Sequence, residues 1–347
     1  MSENVDNLVF VGFNSQVGAV DVDSGKIVLA LRSRYGLRMF ADLPRRIVLV
    51  LLIGLIISSA HGAERKLTTI PVTGFNHVGI RVSNLERSVR WYQKLFAMPT
   101  VVKTGSMVIL RVGVGSQYLT LFTNPQAKPG IVQIGFAPGE AADRMNMDKI
   151  VWHGGGKGVS NANGLVRFQD PAGIRVRLSQ LRELDTVKIT PVAGRLPIRD
   201  FNHFTIFVPD AKRSVQFYQQ LFGLRIDTYQ GPMPIIRVGD GNHFLAFVGG
   251  RSDAFVHHAC FSIENFDPDK IFEQLSEYGL KPRTKKRGPA GPLEYYVTMR
   301  MPNRGGAAKG TPELYLTDPD GILLQLQDVK YAGGGGYLGE KRGNVND

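Results

Sequence analysis

The apolar and polar positions of residues 75–122 recur at residues 201–248 without a gap, at an offset of 126. Each copy begins with an alternating stretch, such as residues 77–82, whose successive side chains would face opposite sides of a sheet. A helix is predicted next, because Ser83 and Asn84 are both favoured N-cap residues and apolar residues then recur at helical spacing. Further short strands complete each copy. The duplication predicts a chain built from repeated βαβββ units.

Two diverged units of the same kind follow the two copies. Each has an apolar first strand and an apolar closing strand, and each closing strand follows an Asp-Pro-Xaa-Gly turn. First strands are predicted at 131–136 and 256–261, and closing strands at 174–178 and 322–327. The last unit also has a marked helix, with Pro268 near its first turn and Gly279 just past its end. Four units are therefore predicted, and their mixture of strands and helices indicates an α+β fold.

Residues 39–63 have the pattern of a secretory signal peptide. Arg45 and Arg46 precede an uninterrupted apolar run over residues 47–57, and small residues follow at 58–63. This order of charged, apolar and small residues is typical of a cleavable signal, with Met39 as a natural initiator. The apolar run is short for a bilayer span, so a retained anchor is the less favoured alternative. We expect a periplasmic or secreted mature protein with no stable membrane contact after signal removal.

Both ends of the chain lie outside the repeated units. Residues 10–28, within the segment 1–38, look like a single blade of a quinoprotein-type propeller. One blade cannot bury its own faces, so the segment is expected to be a disordered extension or an artefact of the assigned start. Residues 331–347 form a Gly-rich tail.

Charge and cysteine content narrow the function little. The formal net charge is +12, but lysine and arginine are scattered, and the one dense basic run, residues 281–287, is bounded by Pro and Gly. A solvated loop is the favoured interpretation, and no nucleic-acid partner is expected. The single Cys260 excludes an internal disulfide. Two domains bury enough core to be stable without one.

Four motifs contain most of the candidate metal-binding and catalytic residues: "NHVGIRVSNLERSVRWYQKLF", "NHFTIFVPDAKRSVQFYQQLF", "VHHACF" and "LYLTDPDGILLQLQ". Through these motifs, residues 75–328 resemble the vicinal oxygen chelate superfamily, which includes glyoxalases, bleomycin-resistance proteins and extradiol dioxygenases. The resemblance implies four βαβββ units that form two half-open barrel domains, at residues 70–185 and 198–330. It also implies a site for a small molecule inside a barrel, and it is compatible with a homodimer.

Strand alternation predicts which closing-strand residues point into each barrel. In the second domain residues 322, 324 and 326 form an all-apolar face that must pack on helices, so Gln325 points into the concavity. In the first domain the same reasoning turns Arg175 and Arg177 inward. Inward guanidinium groups demand an anion or a carboxylate partner, so these two arginines are the candidate anion-binding residues.

The resemblance further implies where a divalent metal would bind. The corresponding positions are His77, Thr120, Gln133 and Arg177 in the first domain, and His203, Ala246, His258 and Gln325 in the second. The first set offers one imidazole and a fixed cation that would repel a metal ion, so His77 is better interpreted as a core histidine. The second set offers two imidazoles that converge from equivalent strands. A neutral amide replaces the usual carboxylate at Gln325, which predicts weakened rather than abolished metal binding.

The second domain favours the dioxygenase branch of the resemblance. Tyr315 lies ten residues before Gln325, where the extradiol signature has a tyrosine that would hydrogen bond a substrate oxygen. The signature also has a histidine at about residues 306–308, and here Gly-Ala-Ala occupies those positions. The acid–base residue is therefore missing from its usual place, and His243 or His257 is the candidate replacement.

These observations lead to one expected function and two alternatives. The expected function is an exported, dioxygenase-like oxidoreductase that acts on a small substrate with vicinal oxygens. It would use a divalent metal, with Fe(II) expected and Mn, Zn or Ni as alternatives, on His203, His258 and Gln325. The first alternative is a metal-free small-molecule binding protein of the bleomycin-resistance type. The second is a glyoxalase-type lyase, which would need two carboxylate bases that do not align here.

Overall fold

The structure is a computed structural model that describes residues 68–162 and 165–340, together with the backbone of residues 8–13, 16–21, 27–33 and 36–40. The chain divides into two compact units, Met1–Lys66 and Leu67–Asp347. Among the described residues, no helix combines the length and the apolar character that crossing a membrane requires.

The smaller unit is an antiparallel sheet of four strands in chain order. The strands are β1 (Leu8–Phe13), β2 (Gln16–Asp21), β3 (Ile27–Ser33) and β4 (Gly36–Phe40). They cover the segment whose sequence looks like one propeller blade. Residues 41–63, which hold most of the predicted signal peptide, lie outside the described residues. That residues 1–38 form an extension apart from the mature protein stays a prediction.

The first barrel domain of the larger unit contains an eight-stranded sheet of order β10-β11-β12-β9-β5-β8-β7-β6. Its strands are β5 (Val72–Val82), β6 (Thr100–Lys103), β7 (Met107–Arg111), β8 (Tyr118–Thr123), β9 (Gly130–Pro138), β10 (Lys157–Ala162), β11 (Leu165–Gln169) and β12 (Arg175–Leu178). Its helices are α1 (Leu85–Phe96), α2 (Met147–His153) and α3 (Arg182–Asp185), with a 3₁₀ turn at Glu140–Arg144.

The second barrel domain contains a nine-stranded sheet of order β14-β15-β16-β13-β17-β21-β20-β19-β18. Its strands are β13 (Ile198–Phe207), β14 (Ile226–Gln230), β15 (Met233–Arg237), β16 (Phe244–Val248), β17 (Phe255–Ile263), β18 (Lys281–Pro282), β19 (Glu294–Arg300), β20 (Thr311–Thr317) and β21 (Leu323–Asp328). Its helices are α4 (Ala211–Phe222) and α5 (Pro268–Glu277), with a 3₁₀ turn at Pro302–Arg304. The predicted α+β fold of paired βαβββ units is confirmed.

Local capping signals explain why helices α1 and α4 begin and end at equivalent positions of the repeat. The side chains of Asn84 and Asp210 accept hydrogen bonds from the backbone N–H three residues on, at 3.0 Å in both cases, and so cap the two N-termini. At the C-termini the chain turns into the left-handed region, at Ala97 with φ 55° and at Gly223 with φ 67°. Each helix buries one apolar face in a hydrophobic core that is continuous across both domains.

Two reciprocal contacts join the barrel domains. The Tyr92 hydroxyl on α1 donates to Asp318 Oδ2 of the second domain at 3.3 Å, and the Tyr218 hydroxyl on α4 donates to Asp170 Oδ2 of the first at 3.2 Å. The Oδ1 atom of each aspartate accepts two backbone N–H groups of its own Asp-Pro-Xaa-Gly turn. Each repeated helix therefore packs on the closing turn of the other domain.

The Gly-rich segment after β21 folds against the second barrel over residues 331–340. Arg300 Nη1 donates to the Gly334 carbonyl at 3.3 Å, and Thr311 Oγ1 donates to the Gly336 carbonyl at 2.9 Å. Gly333 has φ +80°, and a Cβ there would lie 2.8 Å from the ring of Phe244, so glycine is required at this close approach. The second domain thus extends past the predicted boundary at residue 330.

Candidate metal centre in the second domain

His203 on β13 and His258 on β17 point into the same cavity. The two strands are antiparallel neighbours, and the two Nε2 atoms lie 3.4 Å apart. Two imidazoles on one metal ion, each about 2.0–2.1 Å from it, would have their nitrogens roughly 2.8–3.4 Å apart for angles of about 90–110°. Both side chains are buried. The structure therefore confirms that the two histidines converge, at a spacing that fits shared coordination.

The other nitrogen of each ring has a hydrogen-bonding partner. His203 Nδ1 lies 2.8 Å from Asn202 Oδ1, and Asn202 Nδ2 donates to the Tyr331 carbonyl at 2.9 Å, which identifies the amide oxygen as the atom facing the histidine. An amide oxygen only accepts, so His203 Nδ1 carries the hydrogen and its Nε2 keeps a lone pair. His258 Nδ1 pairs with His257 Nδ1 at 2.8 Å. Outer contacts of this kind orient metal-binding imidazoles.

Gln325 is the candidate third donor. Its side chain is buried and lines the cavity together with His203 and His258, on the inward face that alternation along β21 predicts. Within the described ranges, no group of three His, Cys, Asp or Glu residues is placed to hold a metal. That finding agrees with a set made of two imidazoles and one neutral amide oxygen. The donor chemistry fits a divalent ion, although it provides no negative charge to balance the ion.

Burial keeps both imidazoles in their neutral form. Desolvation lowers the pKa of His203 to about 3, with a smaller contribution from the Arg300 cation, while Gln325 acts in the opposite direction. The pKa of His258 is also well below its usual value, again chiefly through burial. A metal binds the neutral imidazole, so no proton has to leave either ring at neutral pH before an ion can bind.

Tyr315 forms part of the wall beside the histidines. Its ring packs edge-on against His258, with centroids 5.4 Å apart, and stacks on Tyr296 at 5.2 Å. Burial holds the pKa of Tyr315 well above its usual value, so the hydroxyl remains a hydrogen-bond donor. The cavity has a volume of about 210 Å³. Its other polar lining residues are Thr205, Gln230, His257, Arg304, Glu313 and Tyr331.

A buried ionic network next to the cavity was not anticipated from the sequence. Arg300 is fully buried, and its Nε donates to Glu313 Oε1 at 3.1 Å while Thr298 Oγ1 donates to Oε2 at 3.1 Å. Arg300 Nη2 also donates to the Tyr331 hydroxyl at 3.1 Å. Glu313 shares a strand face with Tyr315, two residues on, and that spacing was the available signal. Its carboxylate is engaged by Arg300 and is not a spare metal ligand.

The two candidate acid–base histidines occupy different places. His257 lies at the rim of the cavity and stacks on Phe207, with centroids 4.3 Å apart. His243 is not among the residues that line the cavity; it lies against Gly74 of the first domain, with Nε2 4.0 Å from Asp200 Oδ2. Its predicted catalytic position is therefore not supported. A Cβ at Gly306 would lie 1.6 Å from the Arg300 carbonyl oxygen, so this backbone leaves no room for a side chain at that position.

The described residues of the first barrel include no comparable set of metal donors. His77 Nε2 lies 3.4 Å from Gln133 Nε2, and the pKa of His77 is lowered to about 3 by burial and then by the Arg177 cation. Arg177 lies directly opposite Arg167 on β11, and its Nε is buried without a hydrogen-bond partner among the described residues. Arg175 is exposed. A metal ion at His77 would meet a fixed positive charge, which disfavours coordination there.

Comparisons with known proteins agree with this architecture. The model of the Glyoxalase/Bleomycin resistance protein/Dioxygenase superfamily matches residues 74–178 and 200–326, which is more than half of the chain. The chain belongs to this superfamily. The two matched stretches coincide with the two barrel domains. No curated protein matches the sequence.

Solved structures share the fold at low sequence identity. Homoprotocatechuate 2,3-dioxygenase from Arthrobacter globiformis has a TM-score of 0.56 and 17% identity, over 75% of this chain and 81% of its own. The enzyme from Brevibacterium fuscum, in complex with 3,4-dihydroxyphenylacetate, has a TM-score of 0.54 and 17% identity, over 76% and 82%. The Mn(II)-bound glyoxalase from Novosphingobium aromaticivorans has a TM-score of 0.54 and 15% identity, over 76% and 86%. At this identity the likeness establishes the fold alone.

Proposed function

We propose that the second domain binds a divalent metal through His203, His258 and Gln325, and that the protein is a dioxygenase-like enzyme for a small substrate with two vicinal oxygens. The observation that supports this most directly is the 3.4 Å separation of two buried Nε2 atoms. Each ring also has its Nδ1 engaged by a neighbouring side chain. Fe(II) is the proposed ion because two imidazoles and one oxygen donor suit non-haem iron, with Mn, Zn or Ni as alternatives.

A bound ion would act as a Lewis acid toward two adjacent substrate oxygens and, if redox-active, would support oxygen-dependent chemistry. Tyr315 would donate a hydrogen bond to a substrate oxygen, because its hydroxyl stays protonated and its ring borders the cavity. The cavity volume of about 210 Å³ is below the roughly 300 Å³ at which pockets for drug-sized ligands begin. The substrate portion that enters it is therefore small.

His257 is the proposed acid–base residue. Burial, followed by the nearby Arg251 cation, lowers the pKa of His257 to about 4, so the ring is neutral at pH 7 and, in this environment, a weak base. Its Nδ1 is paired with His258, which leaves Nε2 as the atom that can exchange a proton. Glu313 also lines the cavity, but both of its carboxylate oxygens already accept hydrogen bonds, from Arg300 and from Thr298.

The test is metal analysis of protein purified without chelator, followed by oxygen-uptake measurements on catechols. A stoichiometric ion together with oxygen consumption supports the proposal. A stoichiometric ion without oxygen consumption on any catechol contradicts the dioxygenase activity and leaves metal binding supported. If no ion binds under any loading condition, the metal centre itself is contradicted.

A metal-free binding protein is the second candidate, and one observation favours it. Arg177 has a buried Nε without a partner among the described residues and faces a second arginine, Arg167, so the first barrel suits an anion. A glyoxalase-type lyase is less well supported. It would use two carboxylate bases, whereas Glu313 is the one carboxylate among the described residues that line the second-domain cavity.

A further inference from the structure

A second, larger pocket adjoins the metal cavity. Its volume is about 630 Å³, and it lies between residues 129–131 of the first domain and the second domain. Phe207 and His257 line both this pocket and the metal cavity. We call it the outer pocket. Because a single imidazole ring borders both spaces, a ligand in the outer pocket would contact the residue that is hydrogen bonded to His258.

The wall of the outer pocket is aromatic. Phe207, Phe255 and Tyr296 contribute to it, and Phe255 is 44% exposed. The Phe207 and Phe255 ring centroids are 5.4 Å apart, so the two rings form one surface. A concave, largely pre-formed site with aromatic walls is typical of small-molecule binding sites. An exposed aromatic residue on such a wall gives a flat ligand ring a face to stack against.

Basic residues border the outer pocket, and Arg251 is the one lysine or arginine among its described lining residues. Arg251 has its Cζ 4.6 Å from the Phe207 ring centroid, and Arg283 has its Cζ 4.7 Å from that of Tyr296. The exposed residues 285–287, Lys-Lys-Arg, immediately precede Gly288 in the pocket wall. The basic run that the sequence favours as a solvated loop therefore borders a pocket.

No acidic residue that lines the outer pocket is available to balance this charge. Asp320 is the one carboxylate among the described lining residues, and it forms an ion pair with Arg87 and accepts hydrogen bonds from Ser83. Near the rim, Glu294 offsets part of the charge of Arg283. The aromatic wall and the Arg251 guanidinium that lines the pocket are complementary to one class of molecule, an aromatic ring that bears an acidic group.

We propose that the outer pocket binds a small aromatic carboxylate, with the ring against Phe255 and Tyr296 and the carboxylate at Arg251. This inference deepens the proposed function by naming a substrate class, but the binding itself needs no metal. A guanidinium stacked on one aromatic ring still presents its N–H groups at the edge, where a carboxylate can accept two of them. A molecule of this class would be held by its acidic end while its other end faces His257.

The test is calorimetric binding of 2-naphthoate to the full chain after chelator treatment. Two probes separate the features: 2-naphthalenemethanol keeps the rings without the charge, and cyclohexanecarboxylate keeps the charge without the aromatic ring. We expect 2-naphthoate to bind at least about tenfold more tightly than either probe, because it alone makes both the charge-assisted and the stacking contact. Metal-free protein makes the outcome independent of the metal centre.

Two pairs of variants locate the binding. Arg251→Gln should weaken 2-naphthoate binding about tenfold and leave the neutral probe unaffected, whereas Phe255→Ala should weaken both aromatic probes. Arg225→Gln and Tyr229→Ala are the matched controls, since both residues are exposed in the same domain and do not line the outer pocket. They should bind as the wild type does.

Three outcomes would overturn the inference: no binding of 2-naphthoate, equal binding of the neutral probe, or equal losses in the test and control variants. If the protein fails to bind metal in the metal analysis, the proposed metal centre is contradicted, but the binding of 2-naphthoate is not affected. If Arg251→Gln also has a lowered melting temperature, Arg251→Lys provides a second test: it keeps the charge but not the paired N–H groups, so it should recover part of the affinity for 2-naphthoate.

Discussion

At the scale of single residues, Gln325 decides how strongly the second domain binds metal. The substitution Gln325→Glu replaces a neutral amide oxygen with a charged one at the third donor position. We expect metal affinity to rise by roughly 1–2 kcal/mol, about fivefold to thirtyfold, as for other oxygen donors that gain a charge. Calorimetric titration with the metal ion measures it. The control is Gln133→Glu, which adds the same charge in the first barrel and should create no comparable metal site. If metal affinity is unchanged in Gln325→Glu, residue 325 does not face the ion.

The histidines divide between the two barrels. His203→Ala combined with His258→Ala should abolish metal binding, because it removes both imidazole donors, whereas His77→Ala should leave the bound stoichiometry intact. Elemental analysis after identical loading measures this, and thermal melts establish that each variant is folded. If removal of His77 empties the protein of metal, the active centre has been assigned to the wrong domain.

At the scale of elements, the Asp-Pro-Xaa-Gly turns hold the two domains together through Tyr92 and Tyr218. Burial raises the pKa of Asp318 to about 6, above its usual 3.8. The folded state therefore keeps this proton up to a higher pH than the unfolded state does. As pH rises from about 4 through 6, the Asp318 contribution to the free energy of unfolding falls, by at most about 3 kcal/mol.

Asp318→Asn should remove that contribution. The amide keeps an oxygen for the backbone N–H groups of Asp320 and Ile322, and its NH₂ can donate to the Tyr92 hydroxyl. The variant should therefore gain stability relative to the wild type as pH rises from 4 to 7, measured by denaturant unfolding at each pH. The quantity to compare is the difference in unfolding free energy between the variant and the wild type at each pH. The wild-type value alone is not enough, because buried histidines such as His77 have the opposite effect and lower the stability of the protein as pH falls below 6.5. Asp328→Asn, in a similar turn near the surface, is the control. A difference that does not change with pH would contradict the role of Asp318.

At the scale of the whole molecule, export is the proposal with the widest consequences. The order of charged, apolar and small residues over residues 39–63 predicts a mature chain that begins between His61 and Glu64. N-terminal sequencing of protein from the native host measures this directly. A mature chain that retains Met1 would contradict both the export proposal and the interpretation of residues 1–38 as an extension.

Periodicity made much of the barrel architecture predictable. Alternation along β21 placed Gln325 inward, and the repeat placed His203 at the same strand position as His77. These predictions succeed because a strand has a period of two, so one buried apolar face determines the direction of every other side chain. The boundaries of α1 and α4 follow from capping side chains that act within three residues.

Contacts between distant segments were not predictable in the same way. Arg300 and Glu313 look like surface residues in the sequence, yet the barrel buries both and pairs them. Residues 331–340 look like a flexible tail, yet they pack on the second barrel, where Tyr331 joins the cavity wall. His243 was a plausible catalytic residue until the fold placed it against the first domain. None of these outcomes depends on local propensity or strand period.

The sequence by itself determined the duplicated units, the α+β fold and the inward direction of Gln325, because each depends on local repetition and alternation. The choice of His203 and His258 came from the family resemblance of the motifs that contain them. The tertiary structure alone decided that the two Nε2 atoms lie 3.4 Å apart. It also decided that Asn202 sets the tautomer of His203 and that the basic loop borders an aromatic pocket. These features depend on contacts between separate strands and loops. The curvature of the sheet determines those contacts, and the order of residues along any one strand does not.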